Sequence, residues 1–249
     1  IAHEGAHRES VTAGARALVE TFGTHPDATH VVSREADGTV RVISHGAESL
    51  RWRPRLMGAH NALNGAAAGV MALRLGAPRD CVETALADFA GLDRRQQFMG
   101  LARMPFGDVR VYDDYGHHPT EIRVTLRALR EATGARRLVC VFQPHQHSRT
   151  RALLADFAQA FGDADLVLLP EIHFVRDDES ERTKVSSEML AARIRGEGRP
   201  AESVGTLEAA QSRALACLQP GDVLVTMGAG PVWKVARALV QEGLTRRAD

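Results

Sequence analysis

Apolar residues follow two different patterns along the second half of the chain. Short uninterrupted apolar runs are typical of strands buried on both faces of a sheet. Between these runs, apolar residues recur every three or four positions, which predicts helices with one buried face. The strands are predicted at 109–112, 138–142, 166–169 and 223–227, and the helices at 119–133, 148–161, 186–194, 207–218 and 231–240. This alternation favours an α/β fold with a doubly wound, mostly parallel sheet.

In the first half of the chain, turn-forming residues separate shorter segments. The turn Ala36-Asp37-Gly38 lies between two runs rich in β-branched residues, which predicts a hairpin. The predicted elements are helices at 10–22, 62–75 and 82–89 and strands at 29–33 and 39–44. Glycine and proline are frequent between residues 91 and 107, so we place a domain boundary near residue 100. The expected domains are 1–99 and 100–249.

Composition narrows the classes of protein that the chain can represent. With 249 residues, 44% of them hydrophobic and 25% charged, the chain can bury a core. Its 31 basic and 31 acidic residues cancel, which disfavours binding of nucleic acids or anionic membranes. No apolar stretch reaches the ~18 residues of a membrane span, and the first residues do not resemble a signal peptide. We therefore expect a cytoplasmic protein with no nucleic-acid or membrane partner.

The three cysteines, Cys81, Cys140 and Cys217, are scattered and show no CxxC spacing. Neither a disulfide framework nor a thiolate zinc site is predicted from them. We expect all three to be small buried residues in a reducing compartment.

Polar and titratable residues follow three of the predicted strands, at 113–121, 143–150 and 170–173. Ligands of open α/β sheets bind beyond the carboxyl ends of the strands, so these segments form the candidate site. Folding alone explains part of the pattern, because His118 and Ser148 suit helix caps and Glu121 suits a first helical turn. A zinc site is the alternative, but HExxH is absent and we do not predict a metal. The ligands of this alternative zinc site would come from His117, His118, His145, His147 and Glu171.

Three further motifs have both a structural and a functional interpretation. The segment His60-Asn61-Ala62-Leu63-Asn64 starts a helix, and its two amides could either cap that helix or pair with an adenine edge. Arg94-Arg95 lies at the predicted boundary, where it could either contact a phosphate or be a surface charge without a ligand. Gly228-Ala229-Gly230 could form a phosphate-binding turn, but a plain turn between strand and helix is the favoured interpretation. A P-loop of the form GxxxxGK[ST] occurs nowhere in the 249 residues.

Several of these motifs occur in one order that resembles the Mur ligase family, which makes peptidoglycan precursors. They are GAHNALN at 58–64, RR at 94–95, DDYGHHPTE at 113–121, and FQPH with SRT between 142 and 150. The resemblance runs from about residue 58 to 240. It implies a carboxyl-terminal Rossmann-like domain, preceded by the tail of an α/β ATP-binding central domain. It also implies ATP-dependent ligation of L-alanine to the muramate carboxylate of UDP-N-acetylmuramate through an acyl phosphate.

The resemblance also implies roles for individual residues. Arg95 and His117 would be catalytic, and Arg95 would contact a phosphate. Asp114 would hold the ribose, and Asn61 and Asn64 the adenine. The implied ATP-binding residues are His60, Asn61, Asn64, Arg95 and Asp114, and the implied substrate-binding residues are Tyr115, His117, His118, His145, Gln146 and Arg149.

Three positions depart from the commoner family pattern. Gln146 and His147 follow Gln-Pro-His where an arginine and an aromatic residue are usual, and Gln96 replaces an aromatic residue after the second arginine. Arg149 is therefore expected to be the main charge of its segment for a substrate carboxylate.

The family also has a UDP-binding domain and a P-loop domain that these 249 residues do not contain. We expect that these two domains are supplied either in the same chain or in a separate one, and that they hold most of the Mg²⁺ ligands. The alternatives are a non-catalytic nucleotide- or partner-binding module that descends from a Mur ligase, and the related ligase that recycles a tripeptide.

Overall fold

The chain divides into two compact units after Gly91. The computed structural model describes residues 1–245, with side chains through residue 241. The boundary expected between residues 99 and 100 would cut through a regular strand, Gln97–Met104. The glycines at 100 and 107 that suggested a linker belong to a hairpin, in which Gly107 pairs with Met104. Within the described residues, no helix is long and apolar enough to cross a membrane.

The first unit has a small sheet with helices on one face. Its strands are ordered β1-β2-β3-β4, with β1 parallel to β2 and the others antiparallel. Alternate strand residues are buried against the second helix, which fits a sheet with one covered face. The elements are α1 (Arg8–Thr12), β1 (Phe22–Gly23), β2 (His30–Arg34), β3 (Val40–Ser44), β4 (Ala47–Trp52), α2 (Ala59–Arg74) and α3 (Arg79–Asp88).

Two glycines let helix α2 lie close to this sheet. A Cβ at Gly69 would lie 2.6 Å from Leu50 Cδ1, and one at Gly65 would lie 2.9 Å from Trp52 Cζ2. A larger residue at either position would push the helix off the sheet.

The helix predicted at 10–22 is wrong, because only Arg8–Thr12 is helical. Gly14 has φ 75°, and Phe22 pairs with His30 of β2. Leu18, which the helical pattern placed on a buried face, is 86% exposed. The pairing with β2 overrides the local periodicity in this segment.

The second unit is built on a six-stranded sheet with the order β5-β6-β10-β7-β8-β9. Only β5 is antiparallel to its neighbour, so the sheet is mostly parallel, as predicted. Its strands are β5 (Gln97–Met104), β6 (Gly107–Asp114), β7 (Leu138–Phe142), β8 (Leu166–Pro170), β9 (Ala201–Gly205) and β10 (Val223–Met227). Its helices are α4 (Pro119–Thr133), α5 (His147–Ala152), α6 (Leu154–Ala158), α7 (Ser187–Gly196), α8 (Leu207–Cys217) and α9 (Trp233–Thr245), with 3-10 turns at Gln159–Phe161 and Glu179–Glu181.

Helices cover both faces of the large sheet. Val139 and Val141 of β7 belong to the cluster that includes residues of α8 and α9. Phe142, on the opposite face, packs against Phe157 and Phe161, with ring centroids 5.5 and 5.4 Å away. Because successive side chains of a strand point to opposite faces, β7 is buried on both sides. The doubly wound fold is confirmed.

One predicted helix of this unit is interrupted. The segment 148–161 contains α5 and α6, which meet at Leu153, and then a 3-10 turn. The sequence analysis did not predict β4, β5 and β9. Strands β4 and β9 have few apolar residues, and Gly100 interrupts the apolar residues of β5.

Candidate functional site

The carboxyl ends of β6, β10, β7 and β8 bring the polar segments together at one edge of the large sheet. Met227 of β10 pairs with Asp114 on one side and with Phe142 on the other. The segments after β7 and β8 meet through a bridge between His145 and His173. The candidate residues of the second unit therefore share one edge, as the sequence analysis predicts from strand direction.

Residues 94–96, which we call the arginine loop, lie at this edge before β5. Arg94 donates from Nε to Asp113 Oδ2 at 3.0 Å and from Nη2 to the Gly228 carbonyl at 2.6 Å. Its own carbonyl accepts from Tyr115 N at 2.6 Å. Arg94 is thus a structural residue that joins three segments of the edge.

Asp113 is fully buried beneath this loop. Besides the Arg94 guanidinium, it accepts a hydrogen bond of 2.5 Å from the Thr226 hydroxyl. A buried carboxylate is tolerated when it is paired and hydrogen-bonded in this way.

Asp114, the expected ribose ligand, is 3% exposed. One carboxylate oxygen accepts from Gln96 N at 2.8 Å and the other from Gly116 N at 2.6 Å. Burial raises the pKa of Asp114, while these two amides and the nearby Arg95 oppose the rise. Asp114 therefore holds the arginine loop and the turn after β6, and its contact with a ribose stays a prediction.

Arg95, between these anchors, is exposed. Its Nη1 lies 3.5 Å from Glu121 Oε1, and its guanidinium lies 5.5 Å from the centroid of the Tyr115 ring. An exposed ion pair at this distance is weak. The guanidinium can thus exchange these contacts for an anionic ligand.

The segment after β6 forms the start of α4 as predicted. His118 caps the helix, and Glu121 closes the capping box by accepting from the amides of His117 and His118 at 2.9 and 3.0 Å. Burial opposes ionisation of Glu121, but these amides and His117 dominate, so its pKa is lowered. His117 Nδ1 lies 3.1 Å from the Tyr115 carbonyl. Both histidines thus have a structural role in addition to any role in binding.

His145 lies between two other histidines at the sheet edge. Its ring centroid is 6.4 Å from that of His117 and 5.5 Å from that of His173. Burial lowers the pKa of His145 to about 4, and His173, Arg149 and His117 lower it further. The imidazole is therefore neutral at pH 7. Its buried Nδ1 has no hydrogen-bond partner within the described residues.

The amino-terminal end of α5 is held by the segment that follows β8. Gln146, which has φ 67°, donates from Nε2 to the carbonyls of Val175 and Arg176 at 3.4 and 3.2 Å. Asp177 Oδ2 accepts from Ser148 N at 3.0 Å. The prediction that Ser148 caps this helix is wrong, because α5 begins at His147 and the carboxylate comes from a distant residue.

Arg149 is half-buried in the first turn of α5. Among the residues that the structure describes, no acidic side chain forms an ion pair with it. Its charge lies close enough to His145 to lower the pKa of that imidazole. Arg149 is therefore available to an anionic ligand, like Arg95.

The turn after β10 is closely packed, and it supports the interpretation of Gly228-Ala229-Gly230 as a plain connection. Gly228 has φ 140°, and a Cβ there would lie 2.6 Å from the Gln143 carbonyl oxygen. A Cβ at Gly230 would lie 2.9 Å from Gln143 Oε1. Neither position accepts a side chain.

The remaining candidates, His60, Asn61 and Asn64, lie in the first unit at the start of α2. Asn61 Nδ2 donates to the Met57 carbonyl at 2.8 Å, so this amide helps to fix the helix start. Asn64 is exposed. Burial lowers the pKa of His60. The adenine contact of these residues stays a prediction.

Within residues 1–245, no group of three His, Cys, Asp or Glu side chains could hold a metal ion.

Sequence reasoning missed the roles of Arg94, Asp113 and Asp177. Arg94 was considered together with Arg95, and Asp113 as one of two adjacent aspartates. The adjacent pair Asp113-Asp114 was a usable signal, because neighbouring residues of a strand point in opposite directions. Asp177 gave no such signal, since its partner Ser148 lies 29 positions away.

Comparison with known proteins places these residues in a wider context. The family model described as Mur ligase, glutamate ligase domain, matches residues 94–230. A protein of Desulfitobacterium hafniense (strain Y51) named UDP-N-acetylmuramate–L-alanine ligase is 35% identical over 242 residues, which are 96% of this chain and 52% of that protein. One of the same name from Anaeromyxobacter sp. (strain Fw109-5) is 43% identical over 182 residues, 73% of this chain and 38% of that protein.

A solved structure gives a similar result. The crystal structure of UDP-N-acetylmuramate–alanine ligase from Thermotoga maritima has a TM-score of 0.71 and 25% identity, and the match covers 91% of this chain and 48% of that one. The chain spans about half the length of the relatives that it matches along most of its own length.

Proposed function

Because the chain belongs to the Mur ligase family, we propose that it supplies the ATP-binding tail and carboxyl-terminal domain of a ligase that joins L-alanine to UDP-N-acetylmuramate. The family resemblance seen in the sequence is confirmed. The observation that carries the proposed substrates is the similarity along 96% of the chain to the Desulfitobacterium hafniense ligase. The site geometry supports it, because the sheet edge presents two cations with weak or no ion pairs.

The proposed reaction has two steps. The muramate carboxylate attacks the γ-phosphorus of ATP, which forms an acyl phosphate and releases ADP. The amine of L-alanine then attacks the acyl carbon, phosphate leaves, and the nitrogen loses a proton to give the amide. Both steps place negative charge on phosphoryl oxygens, and a guanidinium stabilises such charge.

Arg95 is the proposed phosphate contact and catalytic residue. It is exposed, and only the weak pair with Glu121, at 3.5 Å, competes for its charge. A planar guanidinium also binds two phosphate oxygens at once.

Arg149 is the proposed partner of a substrate carboxylate. It lies beside the neutral His145, which can accept a hydrogen bond but does not add positive charge at pH 7. His117 is proposed as the second catalytic residue, at the same edge. Tyr115, His118 and Gln146 complete the proposed substrate-binding group.

For the nucleotide, we propose His60, Asn61 and Asn64 in the first unit and Asp114 in the second. Asn amides can pair with the donor and acceptor of an adenine edge. A Mg²⁺ ion would accompany ATP, held by the phosphates and one or two side chains near a P-loop, a motif that these 249 residues lack. We therefore assign its ligands to the remaining half of the enzyme, supplied in cis or in trans. The cytoplasm, where ATP and UDP-activated sugars are available, is the proposed location.

A chimaera tests this proposal. The half of the Desulfitobacterium hafniense ligase that precedes the matching region would be fused to this chain. We expect ADP release that depends on both UDP-N-acetylmuramate and L-alanine, with the UDP-linked alanyl product identified by mass spectrometry. The chain alone is expected to release no ADP above background, because its sequence has no P-loop to cradle the β- and γ-phosphates.

The intact Desulfitobacterium hafniense ligase is the positive control, and mixing the two halves as separate chains tests supply in trans. A chimaera that binds ATP and UDP-N-acetylmuramate as tightly as this control, yet forms no alanyl product, would contradict the proposed activity.

A further inference from the structure

The residues on both sides of Arg95 are anchored independently, whereas Arg95 itself is not. On one side, the Arg94 guanidinium joins Asp113 Oδ2 at 3.0 Å to the Gly228 carbonyl at 2.6 Å. On the other, Gln96 N donates to Asp114 Oδ2 at 2.8 Å. Arg95, between them, has only exposed contacts.

The backbone of the loop requires these anchors. Arg94 and Gln96 have φ values of 60° and 48°, in the left-handed region that residues with a Cβ rarely adopt. Such conformations persist where the surrounding structure determines them. A further bond supports the turn, because Arg94 N donates to Gln97 Oε1 at 2.9 Å.

The anchors themselves are rigid because they are buried. Asp113 has no exposed surface, and Thr226 of the central strand β10 holds its second oxygen at 2.5 Å. Asp114 is held from two sides, by Gln96 N and Gly116 N. The loop is thus fixed to the ends of β6 and β10, the two adjacent strands at the middle of the site.

We propose that Arg94, Asp113 and Asp114 are positioning residues that fix the backbone before and after Arg95 and thereby aim its guanidinium at the transferring phosphoryl group. This inference rests on the proposed function, in which Arg95 contacts that group. The members of each adjacent pair have different roles. Arg94 binds protein and Arg95 binds substrate. Asp113 binds the Arg94 side chain and Asp114 binds the backbone of the loop.

Positioning of this kind affects the rate of phosphoryl transfer more than it affects substrate binding. A cation that is already oriented needs no rearrangement when charge develops on the phosphoryl oxygens. A misplacement of about 1 Å can reduce a rate by roughly 100-fold. Loss of the Arg94 anchor should therefore lower kcat and leave the KM for L-alanine unchanged.

A double-mutant cycle in the active chimaera tests the proposal, with Arg94→Lys, Arg95→Ala and the two combined. Lysine keeps the charge of Arg94, but its single ammonium cannot reproduce the fork that reaches both Asp113 and Gly228. Arg127→Lys is the matched control, because Arg127 forms an exposed pair with Glu131 on α4.

We expect Arg95→Ala to lower kcat about 100- to 1,000-fold and Arg94→Lys to lower it about 10- to 100-fold. In the Arg95→Ala background, Arg94→Lys should cause no further loss, because there is no guanidinium left to aim. Hydrogen exchange of residues 93–97 should become faster in Arg94→Lys. Arg127→Lys should leave all of these values unchanged.

If the two losses multiply in the double variant, the positioning role is overturned while the proposed function stands. If Arg95→Ala leaves kcat unchanged, the catalytic role of Arg95 and the positioning role that rests on it are overturned, while the ligation by the active chimaera stands. Where Arg94→Lys does not fold, Thr226→Val replaces it, since it removes one hydrogen bond to Asp113 and nearly preserves the shape. A kcat loss from Thr226→Val that persists in the Arg95→Ala background would equally overturn the positioning role.

Discussion

Two arginines at the same sheet edge are held by contacts of different kinds. The loop around Arg95 is anchored to Asp113 and Asp114, both buried, at the ends of strand β6. The segment around Arg149 is anchored by Asp177 and Gln146 to a loop whose neighbouring residues are exposed. Buried charges are costly to leave unpaired, whereas exposed ones are solvated by water. We therefore expect the Arg95 loop to stay ordered until the second unit unfolds, and the Arg149 segment to loosen before that.

The largest expected difference between the two regions is in stability. Asp113→Ala removes the carboxylate partner of the Arg94 guanidinium, and should lower the free energy of unfolding by about 3–5 kcal/mol. Asp177→Ala should lower it far less. Urea unfolding of the 249-residue chain can be followed through Trp233 in a Trp52→Phe background, so that the signal reports the second unit.

Asp113→Asn is the control for this comparison. It can keep the hydrogen bond from Thr226 while it loses the charge, so its loss should be smaller than that of Asp113→Ala. Equal losses for Asp113→Ala and Asp177→Ala would contradict the distinction between the two regions.

A smaller, local effect is expected from Gln146→Ala. It removes the side-chain donor to the carbonyls of Val175 and Arg176. One hydrogen bond is worth about 1 kcal/mol, so amide exchange in residues 173–178 should become roughly five-fold faster. Residues 93–97 of the same variant serve as the internal control. If both segments exchange faster, the two regions are coupled and the comparison fails.

The smallest expected effect is the pH dependence of stability, which has opposite signs for Asp114 and Asp177. Burial raises the pKa of Asp114 above its ordinary value of 3.8, so the folded protein holds this proton more tightly than the unfolded chain. Stability from Asp114 therefore falls as the pH rises from 3.8 toward the folded pKa. Hydrogen bonds from Ser148 lower the pKa of Asp177, so its contribution is present above pH 3.8 and is lost as the pH falls through the folded pKa.

Melting temperatures of Asp114→Asn and Asp177→Asn, each compared with the parent chain between about pH 2 and pH 6, check these signs. Relative to the parent, Asp114→Asn should gain stability as the pH rises. Asp177→Asn should lose stability relative to the parent as the pH rises through the lower part of the range. The same sign for both variants would refute the assigned environments.

The fold of the second unit could be predicted well because its strands are uninterrupted apolar runs. Strands β7 and β10 and helix α4 have the bounds predicted from the sequence. Edge strand β9 carries mixed residues and Gly100 interrupts the apolar residues of edge strand β5, so neither forms an uninterrupted apolar run. The helix predicted at 10–22 is wrong for a different reason, because strand pairing between distant residues overrides the helical pattern of the segment.

The site could be predicted only in part. The polar residues after β6, β7 and β8 do meet at one edge, because parallel strands end on the same side. Which of them bind protein and which are free depends on distant partners, as for Arg94 with Gly228 or Ser148 with Asp177. Positive φ values at Arg94 and Gln96 have no signal in residue type either.

The order of the strands in the large sheet has a consequence for how the protein is made. Strand β10 lies between β6 and β7, although it is the last strand of the described chain to leave the ribosome. Until it arrives, β6 and β7 have no common neighbour, and neither Thr226 nor Gly228 can engage the arginine loop. The nascent unit thus exposes two apolar strand edges during most of its synthesis, a state in which chains aggregate or recruit chaperones. Completion of the sheet and assembly of the site are one late event, governed by a contact between distant parts of the chain.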